Sequence, residues 1–321
     1  MQIALYITGI VLVAISIVSA SNIPKWWVKG WDVGRAYIAL LLGVALLLTF
    51  VFLWPFGSGY TWVLVAAMTA ALLYHFWVVY PFTPLHAEEV ATTTRTDRSI
   101  KLLTANVRMS NKVTHKLLAL IDEYDPDCIT LTEVDQYWTD ACRVLDERYP
   151  HQQLQPQDNT YGLNFYSKIP LAKSKTNFLV EDDIPSFHLH LDWTPAVQVI
   201  CLHPRPPAPW TNEVNKDVEV IMAAGMTNYN NLPSIVTGDL NDVGWSHPSK
   251  QFKAISGLKD PRIGRGFFNT YNANIPVGRY PVDHFFVSPD FRVHRIERLP
   301  HFGSDHFPVF LELNYEPDAS T

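Results

Sequence analysis

Apolar positions are arranged in two different ways along this 321-residue chain. Three early runs, residues 3–20, 36–54 and 60–80, contain no Asp, Glu, Lys or Arg. At 1.5 Å rise per residue, each makes a helix of roughly 27–31 Å, the thickness of a hydrocarbon core. A helix of a soluble protein normally keeps a polar face, and these runs have none. Trp26, Trp27, Trp31, Trp54, Tyr60, Trp62, Trp77 and Tyr80 lie at or near the run ends, as an interfacial belt requires. Three transmembrane α-helices are therefore expected. Residues 55–59 form a short connection, and Pro81 and Pro84 end the third helix. Val18-Ser19-Ala20 has the small residues of a signal-peptide cleavage site. The positive amino-terminal region of such peptides is missing, so an uncleaved helix is the better reading.

From residue 100 the pattern changes to short apolar runs alternating with amphipathic segments. Strands are expected at 100–105, 128–131, 163–166, 187–191, 196–201, 234–237, 268–271, 282–287, 292–297 and 308–313. Helices are expected at 111–124, 136–148 and 212–228. Several strands follow one another with no helix between them, and no Gly-x-Gly-x-x-Gly is present. That favours a mixed-sheet α/β sandwich over a doubly wound dinucleotide fold. The expected organisation is a membrane anchor at 1–84, a polar linker of marginal order at 85–99, a catalytic domain at 100–315 and a tail at 316–321.

Charge sharpens this division. The chain is 48% hydrophobic and only 17% charged, with net charge −6. Residues 1–84 carry Lys25, Lys29, Asp32 and Arg35, a net +2, which leaves −8 for residues 85–321. This composition excludes a disordered chain, a disulfide-dense miniprotein and a basic nucleic-acid-coating protein. Lys25, Lys29 and Arg35 in the first connection lie two crossings from Arg95, Arg98 and Lys101, so both groups fall on one side. The positive-inside rule then puts the carboxyl-terminal part in the cytoplasm, with the periplasm as the alternative. Cys128, Cys142 and Cys201 have no metal-type spacing and suit buried thiols in a reducing compartment.

Polar residues recur at the ends of the apolar strands: Asn106, Glu133, His203, then Asp239 and Asn241. Asp283 opens a strand, and Asp305-His306 precedes another. Strand ends aim side chains into the crevice where open sheets bind ligands. This set suits phosphoester hydrolysis, in which a divalent cation polarises a phosphoryl oxygen. Mg²⁺, with Mn²⁺ as the alternative, prefers oxygen ligands, so Glu133 leads as ligand and Asn106 offers an amide oxygen. His306 oriented by Asp283 would form an acid–base pair.

The order Thr104-Ala105-Asn106-Val107, Leu131-Thr132-Glu133, His203, Gly238-Asp239-Leu240-Asn241, Pro281-Val282-Asp283-His284 and Gly303-Ser304-Asp305-His306 resembles the endonuclease/exonuclease/phosphatase, or DNase I-like, superfamily over residues 100–315. The anchor followed by Tyr80-Pro81-Phe82-Thr83-Pro84-Leu85 resembles its membrane-anchored bacterial members, which implies a multi-pass protein of the inner membrane. The resemblance implies a four-layer α/β sandwich preceded by three transmembrane helices. It also implies that Glu133 binds the metal with Asn106 close by, and that Asp239 positions or deprotonates the attacking water. Asn241 would hold a phosphate oxygen. His306 would contact the scissile phosphate or act as base, oriented by Asp283. His203 would stabilise the phosphorane or protonate the leaving group, and Asp305 would hold a metal directly or through water.

Where some nuclease members place a second carboxylate, this chain has Arg108, which would bind substrate phosphate or pair with an acid. Arg262 and Arg265 lie in a Gly-flanked basic loop that could grip phosphate. His284 is expected to be structural, because strand alternation turns it away from Asp283. Trp245 is a candidate for the crevice edge, and Asn159, Tyr161 and Gly162 for its rim. The leading reading is a membrane-anchored phosphoesterase acting on a lipid headgroup or small phosphodiester at the bilayer. A nuclease is the alternative, disfavoured by the −8 charge, and a non-catalytic receptor or scaffold is a third. No protein partner is expected.

Overall fold

A computed structural model describes residues 1–21, 23–209, 213–228 and 230–317. The three apolar runs are helices α1 (Gln2–Ala20), α3 (Arg35–Leu53) and α4 (Gly59–Val79), each long and apolar enough to cross a membrane. They pack through a shared cluster that includes Leu12, Leu42, Ala45, Val65 and Met68. The first connection is not a plain loop. It contains an eight-residue helix, α2 (Trp26–Val33), joined to α3 through Gly34.

The remaining chain forms two mixed sheets. The first comprises β1 (Ser99–Asn106), β2 (Cys128–Thr132), β3 (His151–Gln155), β4 (Leu163–Ser167), β10 (Phe291–Arg298) and β11 (Val309–Tyr315), in the order β10-β11-β1-β2-β4-β3. The second comprises β5 (Leu171–Phe178), β6 (Pro185–Leu191), β7 (Val197–Leu202), β8 (Ser234–Asp239) and β9 (Asp283–Val287), in sequence order. Helices α5 (Thr114–Tyr124) and α6 (Gln136–Ala141) cover the first sheet, and α7 (Glu213–Thr227) and α8 (His247–Ser256) the second.

Period-two alternation explains the layering. Leu102 points between the sheets towards Val199 and Cys201, whereas Leu103 points outward to Leu117, Ile121 and Trp138. On β7, Val199 and Cys201 face inward, and Ile200 and Leu202 meet Val220, Ala224 and Phe252. Strands covered on both faces read as continuous apolar runs, which is why their sequences were plain. The three cysteines are buried free thiols.

Several expectations change. Residues 268–271 form no strand; Tyr271 makes only isolated bridges to Tyr280 and His306. The helix expected at 136–148 ends at Ala141 and tightens into a 3₁₀ turn, Cys142–Leu145. Asn212, the expected start of α7, and residues 318–321 of the tail lie outside the described residues. The linker is ordered. Val90 is buried between the sheets, and Thr93 N–H donates to the Val293 carbonyl at 2.9 Å while Val293 N–H donates to Ala91. Glu89 pairs with Lys253 at 2.6 Å.

The apolar helices and the sheet-bearing part of the chain share a core of their own. Val78, Val79 and Phe82 pack with Val243, Trp245 and Ile263. The Trp245 indole N–H donates to the Asp32 carbonyl at 2.7 Å, and Lys29 pairs with Asp217 on α7 at 2.6 Å.

Candidate active site

The expected residues converge because the same end of each sheet faces one crevice. β1 and β2 run parallel with Asn106 opposite Thr132, so Asn106 and Glu133 emerge together. β7 and β8 run parallel with Leu202 opposite Gly238, which sets His203 beside Asp239. β8 and β9 are antiparallel with Asp239 opposite Asp283. The loop before β11 returns His306 to this point. Ser304 clips it there, its hydroxyl donating to the Asn106 carbonyl at 2.7 Å and accepting from His306 N–H at 3.1 Å.

Gly238 makes the β7–β8 approach possible. It has φ +135°, and a Cβ there would lie 2.0 Å from the Leu202 carbonyl oxygen. Glu133 (φ 58°) and Asn241 (φ 51°) occupy the left-handed region without being glycine. Each such residue stores on the order of 1–3 kcal/mol of strain, a cost tolerated where a side chain must be aimed.

Asn106 is fully buried. Its amide nitrogen donates to Glu133 Oε1 and to Asp239 Oδ2, both at 2.9 Å, and its oxygen accepts from Arg108 N–H. It therefore bridges the two carboxylates, with its amide oxygen turned to the Arg108 N–H. Asp239 sits between two histidines, with His203 Nε2 at 3.9 Å and His306 Nε2 at 3.7 Å. His306 Nδ1 is bonded to Asp283 Oδ2 at 2.8 Å, the pairing expected from sequence. Asp283 Oδ1 and His203 Nδ1 are buried without a hydrogen-bond partner.

Burial and charge push the two histidines apart. Burial disfavours charge on His306, but Asp283, Asp239 and Asp305 outweigh it and raise its pKa to about 10. Burial lowers His203 to about 4, with Asp239 opposing only in part. The two imidazoles are thus shifted in opposite directions, the kind of separation that assigns acid–base roles in a shared site. Burial raises the pKa of Asp239 and of Glu133, and neighbouring carboxylates add to both effects.

Such crowding of buried carboxylates fits a hard divalent cation, which would relieve the repulsion. Asp239, Asp283 and His306 form one group whose ligand atoms lie within 4.8 Å of one another. Within that group His306 Nδ1 is bonded to Asp283, and Glu133 stands on the far side of Asn106 from Asp239. Asp305 pairs with Arg108 at 3.7 Å, and Arg108 is a partly exposed group at the crevice rim.

Asn241 is fixed at three points. Its N–H donates to Asp239 Oδ1, its amide to the Pro204 carbonyl at 3.0 Å, and its carbonyl accepts from Lys216 Nζ at 2.8 Å. Lys216 is buried on α7 and was not singled out in the sequence, where a Lys on a helix reads as solvated. Tyr161 lies against His203 with ring centroids 5.5 Å apart, and Gly162 touches the Val134 carbonyl too closely for a Cβ. Asn159 bonds Asp183 at the exposed rim.

Two arginines depart from expectation. Arg262 is 2% exposed, pairs with Asp260 at 2.6 Å and donates to His284 Nδ1 at 2.8 Å. Its guanidinium is used beneath β9 and does not reach the crevice. His284 is structural, with Nε2 on the Asp242 carbonyl at 2.7 Å. Arg265 is spent on Glu88, Thr92 and the Val90 carbonyl, tying down the linker. Trp245 is buried against Phe82 and Phe267, where it joins anchor to domain and does not border the crevice.

Residues 103–306 match the model of the Endonuclease/Exonuclease/phosphatase family. Among curated proteins none matches the chain. Similar solved structures include a family protein from Bacteroides thetaiotaomicron (19% identity, TM-score 0.55, covering 69% of this chain and 100% of that one). They also include Danio rerio TDP2 complexed with single-strand DNA product (14%, 0.57, 68% and 100%). A third is sphingomyelinase C from Streptomyces griseocarneus (15%, 0.50, 67% and 99%).

Proposed function

The chain belongs to the Endonuclease/Exonuclease/phosphatase family, and from that premise we propose that it is a membrane-anchored, divalent-metal-dependent phosphoesterase. Residues 1–84 are its anchor and 100–315 its catalytic domain. The observation that carries this reading is the Asp283–His306–Asp239–Asn106–Glu133 constellation, gathered from both sheets into one crevice. Glu133 and Asp305 would hold Mg²⁺ or Mn²⁺. When bound, such an ion supplies Lewis-acid polarisation of a phosphoryl oxygen.

The chain's own residues account for the rest. His306, kept cationic by Asp283 and Asp239, contacts a phosphate oxygen and favours the charge that develops there. Asp239, made more basic by burial, accepts a proton from the attacking water. His203, kept neutral, offers an N–H to the phosphorane; protonating the leaving group would need its charged form. Asn106 keeps Glu133 and Asp239 at a fixed separation, and Asn241 would hold a phosphate oxygen. Arg108 meets substrate charge at the rim.

The similar solved structures include a sphingomyelinase and a protein complexed with single-strand DNA product. The −8 of residues 85–321 favours a lipid headgroup or small phosphodiester over a long nucleic acid. The location that fits is a bacterial inner membrane, with the catalytic domain on the cytoplasmic side by the Lys and Arg count.

The test is hydrolysis of methyl p-nitrophenyl phosphate by the intact protein in detergent, with Mg²⁺, Mn²⁺ or chelator, beside Glu133→Ala and His306→Ala. Metal-dependent turnover lost in both variants supports the reading. Activity that survives both substitutions rejects the site, and plasmid cleavage without action on small diesters favours the nuclease. A reporter fused after Thr321 tests topology, and a periplasmic signal overturns the cytoplasmic placement.

A further inference from the structure

The crevice is not walled by the catalytic fold alone. A cavity of about 430 Å³ holds Glu133 and His306 on one side and Trp26, Gly30 and Val33 of α2 on the other. α2 runs directly into the membrane helix α3 through Gly34, and its buried Lys29 and Asp32 fasten it to Asp217 and Trp245 of the catalytic domain. Its other face exposes Trp27 and Trp31, one helical turn apart, beside the exposed Trp26. Indole rings in such a place seat a helix at the bilayer interface.

The opposite wall is Tyr271 and Tyr280, which line the same cavity and bridge to each other. The loop they enclose, residues 272–279, also reaches the membrane helices: Tyr37 of α3 donates to the Arg279 carbonyl at 3.1 Å. Its tip exposes two apolar side chains, Ile275 at 47% and Val277 at 69%. Exposed apolar tips are costly in water and favourable at a lipid surface. The mouth of the active site thus lies between two apolar elements, both held at the same end of α3.

We propose that the crevice opens onto the bilayer surface, and that its substrate is a phospholipid engaged by its headgroup while its acyl chains remain in the membrane. α2 and the 272–279 loop are the two jaws that admit it. The inference rests on the phosphoesterase reading above and names the substrate class of that same site. Gly30 provides a direct probe. It lines the cavity, and a Cβ added there meets no atom within 4 Å, so the side chain of Gly30→Leu starts in open space at the mouth.

The experiment reconstitutes the full chain into vesicles of mixed phosphatidylethanolamine, phosphatidylglycerol, phosphatidylcholine and sphingomyelin, and follows released headgroup or phosphate by mass spectrometry. Methyl p-nitrophenyl phosphate serves as the soluble diester in the same preparation. The wild type is expected to turn over vesicle lipid. The ratio of lipid to soluble-diester kcat/KM is expected to fall at least tenfold in Gly30→Leu and in an Ile275→Ser, Val277→Ser double variant. Soluble-diester hydrolysis with no lipid turnover, or an unchanged ratio in both variants, overturns the inference and leaves the phosphoesterase reading standing. Turnover of neither substrate overturns both.

Discussion

Glu219 on α7 makes stability depend on pH in a direction that can be worked out beforehand. Its side chain is 1% exposed, and Oε1 has no hydrogen-bond partner. Burial raises its pKa to about 8; Glu181 adds to the effect and Arg205 opposes it. The same group in an unfolded chain titrates near 4.5. Between those values the folded chain keeps a proton that the unfolded chain releases, so stability falls as pH rises. The contribution is fully present below pH 4.5 and lost above pH 8. At about 1.4 kcal/mol per pH unit, ionised Glu219 costs on the order of 5 kcal/mol in alkaline buffer.

Glu219→Gln removes that ionisation while keeping shape and polarity. Measured as Tm of the intact protein in detergent, the variant and wild type should be similar at pH 4.5. At pH 8.5 the variant should be roughly 10–20 °C more stable, taking about 2–4 °C per kcal/mol for a domain of this size. Other titrating groups cancel in the difference between the two chains. Parallel Tm curves across the whole range would refute the reasoning. The consequence reaches the crevice, because α7 also carries Lys216 beneath Asn241 and Asp217 against α2.

Four further outcomes are expected. Glu133→Gln should raise the metal-free Tm, because a buried carboxylate is neutralised, yet lose the stabilisation of about 2.7 kcal/mol that Mg²⁺ at 100 times its Kd gives the wild type. Gly238→Ala should cut kcat by roughly 100-fold or more, since a Cβ 2.0 Å from Leu202 forces apart the strands that place His203 and Asp239. Lys216→Met should lower kcat about tenfold at unchanged KM, by freeing the Asn241 carbonyl, and a pure KM effect would contradict this. Arg262→Met should destabilise by about 3–5 kcal/mol through the unpaired Asp260, visible as a drop in denaturation midpoint, whereas a substrate-binding Arg would raise KM alone.

What the sequence made legible follows from how each residue is used. Strands buried on both faces, such as β1, β7 and β8, announce themselves as apolar runs ending in a polar residue, and those ends formed the site. β3, with the sequence His-Gln-Gln-Leu-Gln, and β5, with Leu-Ala-Lys-Ser-Lys-Thr-Asn-Phe, were missed because they are the outer strands of their sheets. Edge strands carry polar and Lys residues that discourage pairing with other chains, which erases the apolar signal. α8 begins with a readable cap, Ser246 Oγ accepting from Ser249 N–H at 3.2 Å with Pro248 in the first turn, but it lacks an apolar stripe, since Phe252 is buried while Ile255 is exposed. Arg262 and Lys216 were misjudged or overlooked for a shared reason. Arg262 has a local acid in Asp260, but His284 and the pair Asn241 and Asp242 that meets Lys216 are brought in only by the fold, so charge in the sequence could not reveal that both are buried.

The least legible feature was the relation between the two parts. Composition divides the chain sharply near residue 84, which invites a picture of an enzyme tethered by an independent anchor. The packing contradicts that picture at particular residues. Phe82 and Trp245 meet at 5.2 Å, Asp32 accepts from Trp245, and the Val78–Ile263 cluster draws side chains from both sides of the division. A chain beginning at residue 85 would expose this apolar cluster and lose one wall of the crevice. The first 84 residues are therefore part of the crevice as well as a set of apolar helices, because the same helix α2 that packs on Asp217 and Trp245 also lines the cavity beside Glu133 and His306.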